Sequence, residues 1–192
     1  MNSFTYLFDL PAYQAYRHPQ RASGGVWRQG IKEEISSAQL VKLVQTIATQ
    51  LLEKGIKKGD RVIILTDRYN LKWLAIDMAI MATGAISTPL HHPVKEKEFD
   101  LILKRIEPTI LIHTSDVEMN NHSGFTRILM DDLFSSEYAL LEKDSIRLEE
   151  IRSTLNPDDC ATIVHTSGSS GEPRAVSLSH KNVVSNVMSV LS

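Results

Sequence analysis

The chain has 192 residues, of which 42% are hydrophobic and 23% are charged, and its formal net charge is -2. This length and composition are typical of a globular chain with enough material for one sizeable hydrophobic core. The small net charge argues against a nucleic-acid-binding protein.

The cysteine content and the N-terminus bear on the cellular compartment. Cys160 is the single cysteine, which excludes an internal disulfide and is consistent with a reducing environment. The first residues lack the basic start of a secretory signal peptide, and no apolar run approaches the roughly 20 residues of a membrane span. We therefore expect a cytoplasmic protein without a membrane span.

The first 35 residues have the weakest periodicity. Residues 4–17 predict a short helix that breaks near Pro11, and the glycine-containing residues 22–35 predict a hairpin that carries Trp27. We therefore expect an N-terminal helix and hairpin segment over residues 1–35, followed by an α/β unit over residues 36–192.

The α/β unit begins with a helix and a buried strand. Ser36 and Gln39 form a capping box, and apolar residues at helical spacing predict a helix over residues 37–54. Residues 61–66, Arg-Val-Ile-Ile-Leu-Thr, form an unbroken apolar run that is typical of a strand buried on both faces.

Helical and strand patterns then alternate along the chain. The pattern predicts helices at 70–83 and 95–106, strands at 85–90, 109–114 and 126–130, and helical material within 131–155. Such alternation predicts a mainly parallel sheet flanked by helices, with ligands bound beyond the carboxyl ends of the strands. We expect the helices at 37–54 and 70–83 to pack on the faces of this sheet. Four residues are expected in its interior: Ile63, Ile64, Leu111 and Val164.

A strand, a polar loop and a second strand follow between Cys160 and Ser179. The candidate site residues of this stretch are Thr166, Ser167, Gly168, Ser169, Ser170, Gly171 and Arg174. Small residues let the backbone approach a ligand, its N–H groups can form an anion-binding concavity, and the hydroxyls and the guanidinium add donors. The loop therefore predicts a phosphate site, with a flexible Ser/Gly linker as the alternative. Its glycine spacing fits neither a Walker loop nor a nucleophile elbow.

Neither the adjacent acidic residues nor the seven histidines have the spacing of a metal site. We therefore expect no metal site built from protein side chains.

Two segments resemble AMP-forming acyl-CoA synthetases and related adenylate-forming ligases. The first, HTSGSSGEPRAVSLSHKN from His165 to Asn182, resembles the pattern Tyr-Thr-Ser-Gly-Thr/Ser-Thr-Gly-x-Pro-Lys-Gly-Val followed by Leu-Ser/Thr-His-x-Asn. The second, LLEKGIKKGDRVIILTDRYNLKWLAIDMAIMATGAISTPLHHP, is similar to the family's Gly-Asp-Arg-Val strand, Trp-containing helix and Gly-Ala-Val/Ile strand. Arg174 replaces the pattern's lysine and Ala175 its next glycine.

The resemblance implies that Thr166 to Gly171, with Arg174, hold the β- and γ-phosphates of ATP while a carboxylate attacks the α-phosphorus. The implied products are an acyl-adenylate and pyrophosphate, followed by acyl transfer to CoA, with Mg2+ bound mainly through the phosphates. A medium- or long-chain fatty acid is the favoured substrate. Aryl acids, amino acids and fatty-acyl-AMP ligase activity remain open. His180 matches the histidine of the pattern and is expected to pack against the loop or orient it.

In that family the loop lies early in a chain of several hundred residues. We therefore interpret this chain as the first part of the large N-terminal domain of an adenylate-forming ligase, with the catalytic residues beyond residue 192. Such a fragment is expected to be inactive alone and to self-associate through its uncovered surface. The competing hypotheses are a complete non-catalytic nucleotide- or phosphate-binding module and an inert remnant that mediates association.

Overall fold

A computed structural model describes residues 4–18, 21–28, 31–67, 70–115, 117, 122–134, 142–167 and 173–191. The α-helices are α1 (Leu10–Arg17), α2 (Ser37–Glu53), α3 (Leu71–Ala82), α4 (Glu96–Ile106), α5 (Glu142–Ser153) and α6 (His180–Leu191). The strands are β1 (Ala22–Arg28), β2 (Ile31–Ser36), β3 (Arg61–Thr66), β4 (Ile86–His91), β5 (Ile110–His113), β6 (Thr126–Leu129), β7 (Cys160–Ser167) and β8 (Pro173–Ser179). Short 3-10 helices span Leu7–Asp9 and Met130–Phe134. None of the helices in these residues is both long enough and apolar enough to cross a membrane.

The main sheet has six strands in the order β6-β5-β3-β4-β7-β8. Neighbouring strands are parallel except for the last pair, in which β8 runs antiparallel to β7. This confirms the predicted α/β fold, a mainly parallel sheet flanked by helices. The strand predicted at residues 61–66 is β3, which lies inside the sheet between β5 and β4.

Two apolar clusters cover the two faces of this sheet. Alternate residues of a strand point to opposite faces. Val62 and Ile64 accordingly pack in one cluster with α2 and α3. Ile63, Leu65 and residues of α4 pack in the other cluster. The helices predicted at 37–54 and 70–83 therefore lie on one face together, and α4 covers the opposite face.

Three of the four predicted interior residues, Ile63, Ile64 and Leu111, have 0% of their surface exposed. The prediction for Val164 was wrong, because this residue of β7 is only half-buried. Its antiparallel partner is Val176 of β8, which is 42% exposed on the last strand of the sheet. The position at the sheet margin explains the lower burial of Val164.

Helix α2 begins with the predicted capping box. The backbone N–H of Gln39 donates to Ser36 Oγ over 3.2 Å, and the backbone N–H of Ser36 donates to Gln39 Oε1 over 2.7 Å. These bonds satisfy backbone donors that the first turn of a helix otherwise leaves without a partner.

Helix α3 carries a buried carboxyl group towards the sheet. Asp77 is 6% exposed and accepts a hydrogen bond of 2.5 Å from the Ser87 hydroxyl on β4. Burial raises the pKa of Asp77 to about 6, while the Ser87 hydrogen bond opposes that rise.

The N-terminal segment contains the predicted helix and hairpin, with one correction. Pro11 lies in the first turn of α1 and does not break it, because a first-turn residue needs no backbone N–H for the helix. Strands β1 and β2 form the antiparallel hairpin. Phe4 and Tyr13 of this segment pack against Val184 of α6. The division at residue 35 stays a prediction.

Candidate phosphate-binding site

The predicted site lies on the hairpin formed by β7 and β8. Thr166 pairs with Arg174, and Ser167 pairs with Pro173. The sequence places Thr166 and Ser167 in a loop, but the structure places both in β7, because their backbone joins the antiparallel ladder. Four other predicted site residues lie outside the described residues: Gly168, Ser169, Ser170 and Gly171.

Thr166 and Arg174 occupy opposite positions where the two strands enter residues 168–172. Directly opposed residues of an antiparallel pair share one face, with Cβ atoms about 5 Å apart. Both residues are exposed, so a hydroxyl and a guanidinium are accessible beside each other. Their roles in binding phosphate stay predictions.

The topology places the hairpin tip at the ligand-binding edge of such a sheet. Strands β3 to β7 are parallel along the order β6-β5-β3-β4-β7, so their carboxyl ends share one edge. In the strand order, the strand that follows β4 in the chain, β5, lies on one side of β4, beyond β3. The strand that follows β7, β8, lies on the other side, so the chain leaves β4 and β7 in opposite directions across the sheet. Ligands of open α/β sheets bind where neighbouring strands diverge in this way.

Sequence reasoning missed a set of polar groups on these strands. Buried side-chain atoms without a hydrogen-bond partner among the described residues occur on or directly after strands β4, β5 and β7: Thr88 Oγ1, His92 Nδ1, Thr114 Oγ1 and both ring nitrogens of His165. The sequence offers one signal for them, which is a polar residue within or directly after an otherwise apolar strand.

His165 precedes Thr166 on β7 and pairs with Ala175 on β8. Burial lowers the pKa of His165 and the charge of Arg105 lowers it further, whereas the charge of Glu98 raises it. The imidazole is therefore mainly uncharged at neutral pH, with one nitrogen as a donor and the other as an acceptor.

His180 lies at the opposite end of the hairpin from the predicted loop. Its neighbour Ser179 pairs with Cys160 at the start of β7. Six residue steps separate Ser179 from Pro173, a distance of about 20 Å along a strand. The expectation that His180 orients the loop by contact is therefore wrong, since antiparallel pairing carries it to the far edge.

Packing accounts for the position of His180. It is 1% exposed, and its ring makes edge contacts with Tyr6 at 5.1 Å and with Phe8 at 5.8 Å between centroids. Its backbone N–H donates to the Asp159 carbonyl over 3.2 Å. Burial lowers the pKa of His180, although Asp159 and Asp9 oppose that shift.

Comparison with known sequences gives one family over nearly the whole chain. The family described as AMP-binding enzyme matches residues 12–191. The chain belongs to the AMP-binding enzyme family. The enzymes of this family are ligases, which agrees with the resemblance in the phosphate-loop pattern.

Two curated relatives of the chain differ in kind. The chain is 26% identical over 198 residues to the long-chain-fatty-acid–CoA ligase FadD15 of Mycobacterium bovis, covering 96% of the chain and 31% of the relative. It is 25% identical over 181 residues to tyrocidine synthase 3 of Brevibacillus parabrevis, covering 94% of the chain and 3% of the relative. The chain thus spans less than a third of each relative.

A solved structure supports the fold of the chain. The fatty acyl-adenylate ligase from L. pneumophila, in complex with acyl adenylate and pyrophosphate, matches with a TM-score of 0.75. The match covers 98% of the chain and 32% of that structure at 23% sequence identity. This likeness shows that the chain has the fold of the corresponding part of an adenylate-forming ligase.

Proposed function

We propose that the chain is the N-terminal part of an ATP-dependent, AMP-forming acyl-CoA synthetase that acts on a medium- or long-chain fatty acid. The observation that carries the proposal is the opposed pair of Thr166 and Arg174 at the carboxyl edge of the sheet. This pair flanks a Ser/Gly segment where β4 and β7 diverge. The chain spans 31% of the mycobacterial ligase, so the proposed activity is that of the whole protein that carries this sequence.

In the proposed reaction the hairpin tip binds the β- and γ-phosphates of ATP. Residues 166–171 supply hydroxyl and backbone N–H donors, and Arg174 supplies a permanent positive charge. These groups hold the α-phosphorus in line with the attacking carboxylate and stabilise the charge that develops on pyrophosphate as it leaves. Mg2+, when bound, neutralises phosphate charge and is held mainly through the phosphate oxygens.

The acyl group and its acceptor are inferred from the relatives. The name of the mycobacterial relative supports a long-chain fatty acid as the acid and CoA as the acceptor. The match to tyrocidine synthase 3, at almost the same identity, favours a second candidate, an adenylation enzyme for a different carboxylate. Both candidates share the adenylation step and differ in the acid.

Carboxylate-dependent exchange of labelled pyrophosphate into ATP tests the proposal. The whole protein is assayed with decanoate, palmitate, benzoate and a mixture of amino acids. We expect the fastest exchange with decanoate or palmitate, and release of AMP with acyl-CoA formation once CoA is added. Exchange with benzoate or an amino acid alone would favour the second candidate. A protein without exchange on any acid would contradict both.

A further inference from the structure

His91, the last residue of β4, lies on the face of the sheet that carries α2 and α3. The Ser87 hydroxyl of the same strand donates to Asp77 of α3 over 2.5 Å, so Ser87 points to this face. Because alternate residues of a strand share a face, His91, four residues later, points the same way. β4 keeps its strand geometry to this end, since His91 is in register with Thr66 of β3.

Thr166 and Arg174 of the candidate phosphate site lie on this same face. Ile163 of β7 packs with α4 on the opposite face, so Thr166, three residues later, points to the face of α2 and α3. Arg174 is directly opposite Thr166 in the antiparallel pair and therefore shares its face. His91 is thus on the face of the pair that is proposed to bind phosphate.

The register brings His91 level with this pair. Ser87 of β4 is in register with Thr162 of β7, and both strands then continue in parallel for four more residues. Counting from that position, His91 is level with Thr166. Neighbouring strands lie about 5 Å apart, so Arg174, Thr166 and His91 follow one another at this spacing across β8, β7 and β4.

The three side chains form an accessible row that ends at His91. His91, Thr166 and Arg174 are exposed, so α2 and α3 do not cover this end of their face. Thr66 of β3, which is level with His91, is 0% exposed. On the other side, β8 is the last strand of the sheet within the described residues. A ligand on this face at this level therefore meets Arg174, Thr166 and His91, in that order.

The order of these residues matches the order of the phosphates in ATP. In the proposed function the β- and γ-phosphates lie at the hairpin of β7 and β8, beside Thr166 and Arg174. The next group along the linear triphosphate is the α-phosphate, and the next accessible residue across the sheet is His91. An imidazole has one ring N–H when neutral and two when charged, so it can donate to a phosphoryl oxygen in either form.

We propose that His91 donates a hydrogen bond to an oxygen of the ATP α-phosphate during adenylation. The inference rests on the proposed function and adds a catalytic residue to it, because the α-phosphorus is the atom that the carboxylate attacks. A donor fixed at the reacting phosphoryl group stabilises the charge that its oxygens carry in the transition state.

Substitution of His91 tests this role in the whole protein. Pyrophosphate exchange is measured with decanoate or palmitate over a range of ATP concentrations. His91→Ala should lower kcat about ten- to a hundredfold, as expected for one hydrogen bond to a charged group. The KM for ATP should change less, because Arg174 and Thr166 still bind the other two phosphates. His91→Gln retains an N–H donor and should recover most of kcat.

His113 of β5 provides a matched control. It is also a histidine at the carboxyl end of a strand, but it lies two residues after Leu111, which packs with α4 on the opposite face. His113→Ala should therefore keep a kcat close to that of the parent. Urea unfolding of both alanine variants checks that each is folded in the assay.

Sulfur substitution locates the contact on the triphosphate. Exchange is measured with both diastereomers of ATPαS, in which sulfur replaces one α-phosphoryl oxygen and accepts hydrogen bonds only weakly. For one diastereomer, the ratio of the rate with ATP to the rate with ATPαS should be about tenfold larger in the parent than in His91→Ala, which has already lost the bond. ATPβS carries sulfur on the β-phosphate and should give the same ratio in both proteins.

The outcomes separate this inference from the function on which it rests. A His91→Ala variant with the kcat of the parent would overturn the inference and leave the adenylation proposal intact. A lower kcat with unchanged ATPαS ratios would also overturn it, since that result indicates a structural role. An equal loss of kcat in His113→Ala would overturn the assignment to this face. A parent protein without exchange on any acid would overturn the adenylation proposal, and the inference with it.

Discussion

Strands β3 and β7 both carry apolar runs, but their surroundings differ. β3 is in register with β4 over six positions and with β5 over four, and clusters cover both of its faces. β7 meets β4 at one position and pairs with β8 over seven. The buried side chains of β3 serve packing alone, whereas the hairpin of β7 and β8 leaves Thr166 and Arg174 accessible. The difference indicates that the sheet interior supplies stability, whereas its margin carries the residues proposed to bind phosphate.

The contrast in packing gives the largest expected effect. Ile64 is 0% exposed, so Ile64→Ala should cost about 2 to 5 kcal/mol of unfolding free energy through lost burial and a cavity. Val176 on β8 is 42% exposed, so Val176→Ala should cost less than about 0.5 kcal/mol. Urea unfolding of both variants measures the difference. Equal losses would show that the hairpin is packed as tightly as β3.

The buried carboxyl group of the interior should make stability depend on pH. Folding raises the pKa of Asp77 from 3.8 to about 6, so the folded state holds the proton more tightly. Stability from this group is therefore present below about pH 4 and is lost as the pH rises through 6, by roughly 3 kcal/mol in total. Asp77→Asn should be more stable than the parent at pH 8 and nearly equal to it at pH 4.

Urea unfolding at the two pH values measures the effect of Asp77→Asn. Ser87→Ala is the matched control, because it removes the hydrogen bond to Asp77 and leaves the carboxyl group buried. That control should raise the pKa further and steepen the loss of stability with pH. The prediction would be contradicted if the unfolding free energies of the parent and of Asp77→Asn changed equally between the two pH values.

Arg174 at the sheet margin should affect activity more than stability. Removing one charge-assisted contact costs about 1.5 to 3 kcal/mol, so Arg174→Ala should slow pyrophosphate exchange roughly ten- to a hundredfold. Arg174→Lys retains the charge and should lose less. Unfolding measurements should show little change, since the side chain is exposed. An Arg174→Ala variant with the exchange rate of the parent would contradict a role in binding phosphate.

Gly168→Val tests the backbone of the same loop. A β-branched side chain opposes positive φ and keeps a phosphate from approaching the backbone, so exchange should fall at least as far as in Arg174→Ala. If residues 168–172 are only a linker, both variants should behave like the parent.

The smallest effect is expected at the start of α2. Ser36→Ala removes the hydroxyl that accepts from the Gln39 backbone, which should cost about 1 kcal/mol. Gln39→Ala removes the other half of the capping box and should cost a similar amount. Thermal unfolding measures both variants, and pyrophosphate exchange should stay unchanged in each.

The interior was largely predictable from the sequence, because its signals are local. The apolar run at 61–66 predicts β3 with the same bounds, and Ser36 with Gln39 predicts the start of α2. The arrangement of α2 and α3 on one face was not predictable in this way. It depends on the direction of each crossover, which the pattern of a single element does not contain.

The site was less predictable, because its features depend on pairing between distant residues. Small polar residues such as Thr166 and Ser167 favour a loop until a partner strand extends the ladder past them. Whether Thr88 or His165 has a hydrogen-bond partner is decided by the fold and not by the residue type. His180 lies at the far edge because β8 runs antiparallel to β7 and carries the chain away from the loop. The position of His180 in the sequence, shortly after the loop, does not reveal this direction.

Strand β8 ends the strand order, so within the described residues the sheet bonds to it on one side only. Its outer backbone groups form a row that can accept a strand from another molecule. Pro173 at its first position has no N–H to donate, which weakens such pairing near the hairpin tip and leaves the stretch towards Ser179 more open to it. The self-association expected from the sequence, if it occurs by strand addition, should therefore begin at the end of β8 farthest from Arg174. It should rise with protein concentration.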